Sequence, residues 1–212
     1  MPDLDDICNQ IRQVFDQKTA LRDQALSKAR ELTRHASLSI RAVHREDHAE
    51  ADLELDTCKR LAEELKTSLA PHPDLYFAGY TQDALKEHVE AHLTVALIRG
   101  NQLPTPEDLG AEPAAYLNGL TETLGELRRR CLDLLRPGYS AEVERLLAAM
   151  DDVFTQLVTM DYPDAITDGL RRRTDLARGI IERTRADITV AFRQSELEAA
   201  LSKLSKQLDD PA

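Results

Sequence analysis

The stretch Leu85-Lys86-Glu87-His88-Val89-Glu90-Ala91-His92-Leu93-Thr94-Val95-Ala96-Leu97-Ile98 decides how this chain folds. From Leu93 to Ile98 no side chain carries a charge, which marks a buried helix of a helical assembly rather than a surface one. At the start of that helix Glu87 and Glu90 stand three apart. Residues at this spacing have Cβ atoms roughly 5–6 Å from each other, so both carboxylates can reach one small cation. At about 100° per residue the two acids share a face with Ala91, Thr94 and Ile98. An acid pair leading into a buried face has to be protonated, paired or metal-bound. Abundance argues the other way: 38 of 212 residues are acidic, so Glu-x-x-Glu pairs also arise by chance on solvated faces.

The flanking sequence is helical as well. Leu4, Ile7, Ile11, Val14, Leu21, Ala25, Leu32, Ala36, Ile40 and Val43 recur at three- and four-residue steps without Gly or Pro. They predict one helix of about 40 residues, roughly 60 Å long. A second helix is expected from about Ala49 to Leu69, stopped by Pro71-His72-Pro73, and a third from about Tyr80 to Arg99, ending at Gly100-Asn101. Thr105-Pro106-Glu107-Asp108 reads as a capped turn. A fourth helix should span about Pro113 to Leu135, and a fifth, capped by Ser140, should run to about Met160. After Tyr162-Pro163 a last long helix is expected from about Ala165 to Leu208. No strand pair or repeat is visible. The expectation is a single all-α domain over residues 1–212, a bundle of about six to seven helices with long first and last members. Two helices of that length carry more apolar seam than one subunit's core can cover, which predicts a homo-oligomer.

Composition sets the outer limits. Aromatics are 4%, Trp is absent, and the formal charge is −11, so bulk field does not draw the molecule to phosphate backbones. Nucleic-acid binding then has to rest on a local basic patch. Arg30, Arg34, Arg41 and Arg45 fall on one face of the first helix, with His35 and His44 flanking. The row suits a phosphate backbone, or equally ion pairing with acids on neighbouring helices. Arg128-Arg129-Arg130 and Arg171-Arg172-Arg173 spread around their helices, so part of each is structural. Cys8, Cys58 and Cys131 are odd in number and far apart, the pattern of reduced thiols in a cytoplasmic protein. The acidic N-terminus lacks the apolar run of a signal peptide, and no apolar run is long enough to span a membrane.

A second pair of acids, Glu122 and Glu126, lies four apart opposite the stripe Leu117, Leu120, Leu124, Leu127 and Cys131. Read alone, this is a solvated face. Gly119 and Gly125 in the same helix each cost roughly 1 kcal/mol against Ala, which asks for close approach by a backbone or a ligand. Four acids from two helices would make an oxygen-rich site for a hard cation, Mg²⁺ or Mn²⁺ rather than zinc. His88 and His92 read as packing or hydrogen-bonding residues rather than catalysts.

Tyr116-Leu117-Asn118-Gly119-Leu120 followed by Gly125-Glu126-Leu127-Arg128-Arg129-Arg130-Cys131 resembles the signature helix of the translin family. Glu87-His88-Val89-Glu90-Ala91 is similar to the matching run of that family's nuclease-bearing branch, translin-associated factor X. The likeness extends from Ser39-Ile40 and Val43-His44-Arg45 through Tyr162-Pro163-Asp164 and Leu170-Arg171-Arg172-Arg173, covering nearly the whole chain. It implies seven helices, a barrel-like octamer that binds RNA inside, and Mg²⁺-dependent cleavage of single-stranded RNA, with single-stranded DNA as a further partner. Within that resemblance Glu87, Glu90 and Glu122 match the catalytic acids, and Glu126 matches a residue beside them. Two departures stand out. At position 122 the nuclease branch usually carries Asp, one methylene shorter, and Mg²⁺ geometry is strict. The segment Tyr76-Phe77-Ala78-Gly79-Tyr80 lacks the His and Arg of eukaryotic members and looks like smaller prokaryotic relatives.

Rival functions are a passive RNA- or DNA-binding scaffold and an all-α nucleoside-triphosphate pyrophosphohydrolase. The second is disfavoured because Glu122 and Glu126 are spaced four apart rather than three. Ferritin-like di-iron chemistry needs Glu-x-x-His, and none of the six His has Glu three residues before it.

Overall fold

A computed structural model describes residues 3–209. The described residues form six long helices and three single turns: α1 (Leu4–His44), α2 (His48–Leu69), α3 (Pro73–Tyr76), α4 (Gly79–Arg99), α5 (Pro106–Leu109), α6 (Pro113–Leu135), α7 (Ala141–Leu157), α8 (Asp164–Thr167) and α9 (Leu170–Asp209). No strand occurs among them.

Local chemistry accounts for the ends. The Asp3 carboxylate accepts from the Asp6 N–H at the start of α1, which is 41 residues long. Helix α4 stops at Gly100, whose φ of 69° lets the Asn101 N–H return to the Ala96 carbonyl. Thr105 and Asp108 form a reciprocal capping box on α5.

Three expectations need correction. Ser140 precedes α7 but makes no capping bond, and α7 ends at Leu157 rather than Met160. The last long helix starts at Leu170 rather than Ala165, because Asp168 and Gly169 both take left-handed backbone, φ 51° and 77°. The carbonyls of Thr167 and Asp168 released at this break are met by the buried Asn118 side chain, whose Nδ2 donates to both.

Helices α4 and α6 pack on each other at the centre. On one side α1 and α2 cover α4; on the other α7 and α9 cover α6. One core cluster joins Leu32, Ala36, Leu61, Leu65 and Leu85, and a second joins Val89, Leu93, Leu124, Leu127, Leu146, Met150 and Ile188. Helix α4 serves both clusters, which is why Leu93–Ile98 carries no charge on any face. The outer halves of α1 and α9 lie outside both. Leu4, Ile7, Ile11, Val14 and Phe15 on α1, and Val190, Leu197, Leu201 and Leu204 on α9, are exposed. Among the described residues no helix is long and apolar enough to cross a membrane.

Candidate metal centre

Glu87 and Glu90 on α4 and Glu122 on α6 meet where the two central helices touch. One carboxylate oxygen from each lies within 4.8 Å of the other two, and all three residues are half-buried. Gly119 makes this possible. A Cβ there would stand 2.9 Å from the Lys86 carbonyl oxygen and 2.9 Å from Val89 Cγ1, so the α6 backbone rests directly on α4 one turn before Glu122. The expected close approach is thus real at Gly119. Gly125 has nothing within 4 Å and owes nothing to packing.

The electrostatics of the trio are uneven. Burial, followed by the charges of Glu87, Glu122 and Glu126, pushes the Glu90 carboxyl up to about 8. Glu90 therefore holds a proton near neutral pH. Lys86 lies between the other two acids, with Nζ 2.6 Å from Glu122 Oε2 and 3.2 Å from Glu87 Oε1. Burial pulls its ammonium down, but Glu122 and Glu87 outweigh that and raise it. Arg173 Nε, from the start of α9, stands 3.5 Å from Glu122 Oε1.

Glu126, expected as a fourth ligand, is held elsewhere. Its Oε2 is 2.6 Å from His44 Nε2 and 3.6 Å from Arg129 Nη1. The His44 bond, with burial opposing, holds the carboxyl below its usual range. His44 in turn corrects the reading of the basic row on α1. Its side chain is 3% exposed and turned inward onto Glu126, so it does not belong to an outward-facing surface. Arg30, Arg34, Arg41 and Arg45 are exposed, as one face requires. Arg45 pairs with Glu50 at 2.6 Å; among the described residues the other three have no carboxylate within 4 Å.

His88 and His92 pack edge to face, with ring centroids 4.4 Å apart. His88 Nε2 lies 3.3 Å from the Leu109 carbonyl, and burial pushes the ring down to about 3, so it is neutral. Arg128 is bound to Thr184 and Asp187 and Arg130 to Glu46, which leaves Arg129 as the exposed member of its cluster. Burial raises the Cys58 and Cys131 thiols to about 12 and about 11, and both are free.

Reading the sequence missed Lys86 and Arg173 as parts of the centre. Lys86 had a signal: it precedes Glu90 by four residues, which puts both on one helix face. Arg173 had none, since its approach to Glu122 depends on the break before α9.

The fold and the acid-bearing helix pair bring known structures into range. The chain aligns with AfC3PO bound to duplex RNA at a TM-score of 0.82 and 34% identity, over 88% of this chain and 97% of that one. A crystal structure of AfC3PO gives 0.81 and 33%, over the same shares. The chain belongs to the translin family. An uncharacterised protein of Methanocaldococcus jannaschii is 34% identical over 191 residues, 88% of this chain and 83% of that protein. Apo-NeC3PO shares the translin fold at a TM-score of 0.79 and 21% identity, over 90% of this chain and 98% of that one. No protein-family model matches the chain.

Proposed function

We propose that this chain is a divalent-metal-dependent endoribonuclease that cuts single-stranded RNA inside a homo-oligomer. The convergence of Glu87, Glu90 and Glu122 from two helices carries this reading. Anionic oxygen donors suit a hard cation, Mg²⁺ or Mn²⁺. A cation held there supplies a nucleophile near neutral pH and positive charge for the phosphate oxygens. Glu87, Glu90 and Glu122 would hold such a cation, with Glu90 in its deprotonated form and its proton released to solvent. Arg173 and Arg129 offer guanidinium forks to the phosphates flanking the cut. The exposed Arg30, Arg34, Arg41 and Arg45 suit the more distant backbone, and single-stranded DNA fits the same contacts. A relative at one-third identity has been captured with duplex RNA, which supports RNA as the polymer. The exposed apolar ends of α1 and α9 supply surface for self-association, with eight as the subunit number that the family resemblance implies. A cytoplasmic location belongs to the same reading.

One observation favours a second reading, a passive RNA-binding scaffold: Lys86 and Arg173 already compensate Glu122. A labelled oligoribonucleotide, single-stranded or duplex, incubated with the protein and Mg²⁺, separates the two. Internal cleavage that EDTA stops supports the nuclease. Stable binding without product in Mg²⁺ and Mn²⁺ leaves the scaffold.

A further inference from the structure

We propose that Lys86 is a functional residue of this centre: its ammonium stands in for a cation between Glu87 and Glu122, has to leave when a divalent ion takes those oxygens, and then turns into the adjoining cavity to meet a phosphate of the bound strand. The inference rests on the nuclease reading for its last step.

The geometry sets the two cations in competition for the same carboxylates. One ammonium bridges acids from two different helices, 2.6 Å from Glu122 and 3.2 Å from Glu87, on a side chain that is 13% exposed. A Mg²⁺ ion binds its oxygens at about 2.0–2.1 Å and would draw on the two carboxylates that the ammonium bridges. The two positive charges would then stand within a few ångströms of each other in a half-buried site, where repulsion is weakly screened. Lysine suits such a displaceable role. It is a point charge on a four-carbon stem rather than a fixed fork, so its head can swing while the stem stays in place.

The destination lies next to the site. Lys86 also lines a cavity of about 470 Å³ between the start of α4, the start of α6 and α8. The other charged residues lining it are Asp83, Glu112 and Asp168. Three carboxylates keep a phosphate out unless a cation accompanies it, and Lys86 is the cation among the described lining residues. The exposed ring of Phe77 on the same wall gives an accompanying base something to stack on. Metal and strand therefore assist each other: the ion frees the ammonium, and the phosphate gives the freed ammonium a partner.

The test is calorimetric titration of Mn²⁺ into the full-length chain and Lys86→Gln, alone and with a single-stranded 2′-O-methyl oligoribonucleotide. Without the oligonucleotide, Lys86→Gln should bind Mn²⁺ about tenfold more tightly than the unmodified chain, within the usual range of coupling between sites. The oligonucleotide should tighten Mn²⁺ binding in both proteins through the ion's own contact with phosphate, and severalfold more in the unmodified chain than in Lys86→Gln. Equal Mn²⁺ affinity in the two proteins overturns the stand-in role, and equal tightening by the oligonucleotide overturns the phosphate contact. Binding by Lys86→Gln but not by the unmodified chain would keep Lys86 as a resident cation and sink the nuclease reading instead. If Lys86→Gln does not fold, side-chain NMR of ¹⁵N-lysine-labelled unmodified chain replaces it. The Lys86 Nζ signal should move in step with added Mg²⁺, and a signal that stays put overturns the inference.

Discussion

Glu90 is the carboxylate of the trio whose surroundings differ most from water. Its folded-state pKa, about 8, lies above the ordinary 4.5, so between those values the folded chain holds a proton that the unfolded chain has lost. Stability due to this group is therefore full at low pH, declines as pH rises through that window and levels off above it. Glu90→Gln should flatten the slope and leave the metal-free protein more stable at pH 8 by about 1–3 kcal/mol. Urea midpoints of the two proteins at pH 5 and pH 8 check this, and parallel slopes would sink it. In cleavage assays Glu87→Ala and Glu90→Ala should each abolish product while circular dichroism stays unchanged. Activity in both, in proportion to folded protein, would make these acids structural. Glu122 separates length from charge. Glu122→Asp should keep activity or raise it, whereas Glu122→Gln should shift the Mg²⁺ dependence to much higher concentration. A solvated helix-face Glu would show neither effect and stay within about 0.5 kcal/mol in stability.

Gly119 and Gly125 share one helix and make opposite predictions. Gly119→Ala puts a methyl 2.9 Å from a backbone carbonyl that cannot yield, so α6 has to retreat from α4. Overpacking of this kind costs about 1–3 kcal/mol and would separate Glu122 from its partners. Gly125→Ala meets open space and should stabilise by up to about 1 kcal/mol through helix propensity. Urea unfolding of both variants reads this directly; equal midpoints for Gly119→Ala and the parent would rule out the tight crossing. This contrast also marks how far the elements were legible in the sequence. The six long helices were, because their apolar spacing repeats over many turns and Pro71, Gly100 and Pro113 punctuate their ends. The break before α9 was not, since Asp168 is a weak local signal and its released carbonyls are met by Asn118, a residue 50 positions away. The acid pair on α4 was legible from spacing alone. Glu122 looked solvated until α6 crossed α4, and the inward turn of His44 depends on that same crossing.

The largest unexplained surface belongs to the whole molecule. A 23.8 kDa chain leaves Leu4, Ile7, Ile11, Val14 and Phe15 at one end of α1, and Leu197, Leu201 and Leu204 on α9, open to water. Apolar rows of this length are covered by other subunits. Light scattering at micromolar concentration should return a multiple of the chain mass, and a mass near 24 kDa would refute it. Val14→Asp together with Leu201→Asp should release single chains whose helical content survives, because neither position belongs to a core cluster.

Helix α1 joins these two scales in one rigid piece. Its exposed first half offers the surface for neighbouring subunits, and its last residue, His44, is the one that grips Glu126 beside the acid trio. A rod about 60 Å long then carries crowd and chemistry at opposite ends. Its near half is clamped within the chain itself, with Leu32, Ala36, Ile40 and Val43 buried, so the grip on Glu126 needs no neighbour. Diluting the protein until neighbours fall away should accordingly leave Mn²⁺ affinity per chain unchanged, and an affinity that falls in step with dissociation would refute this.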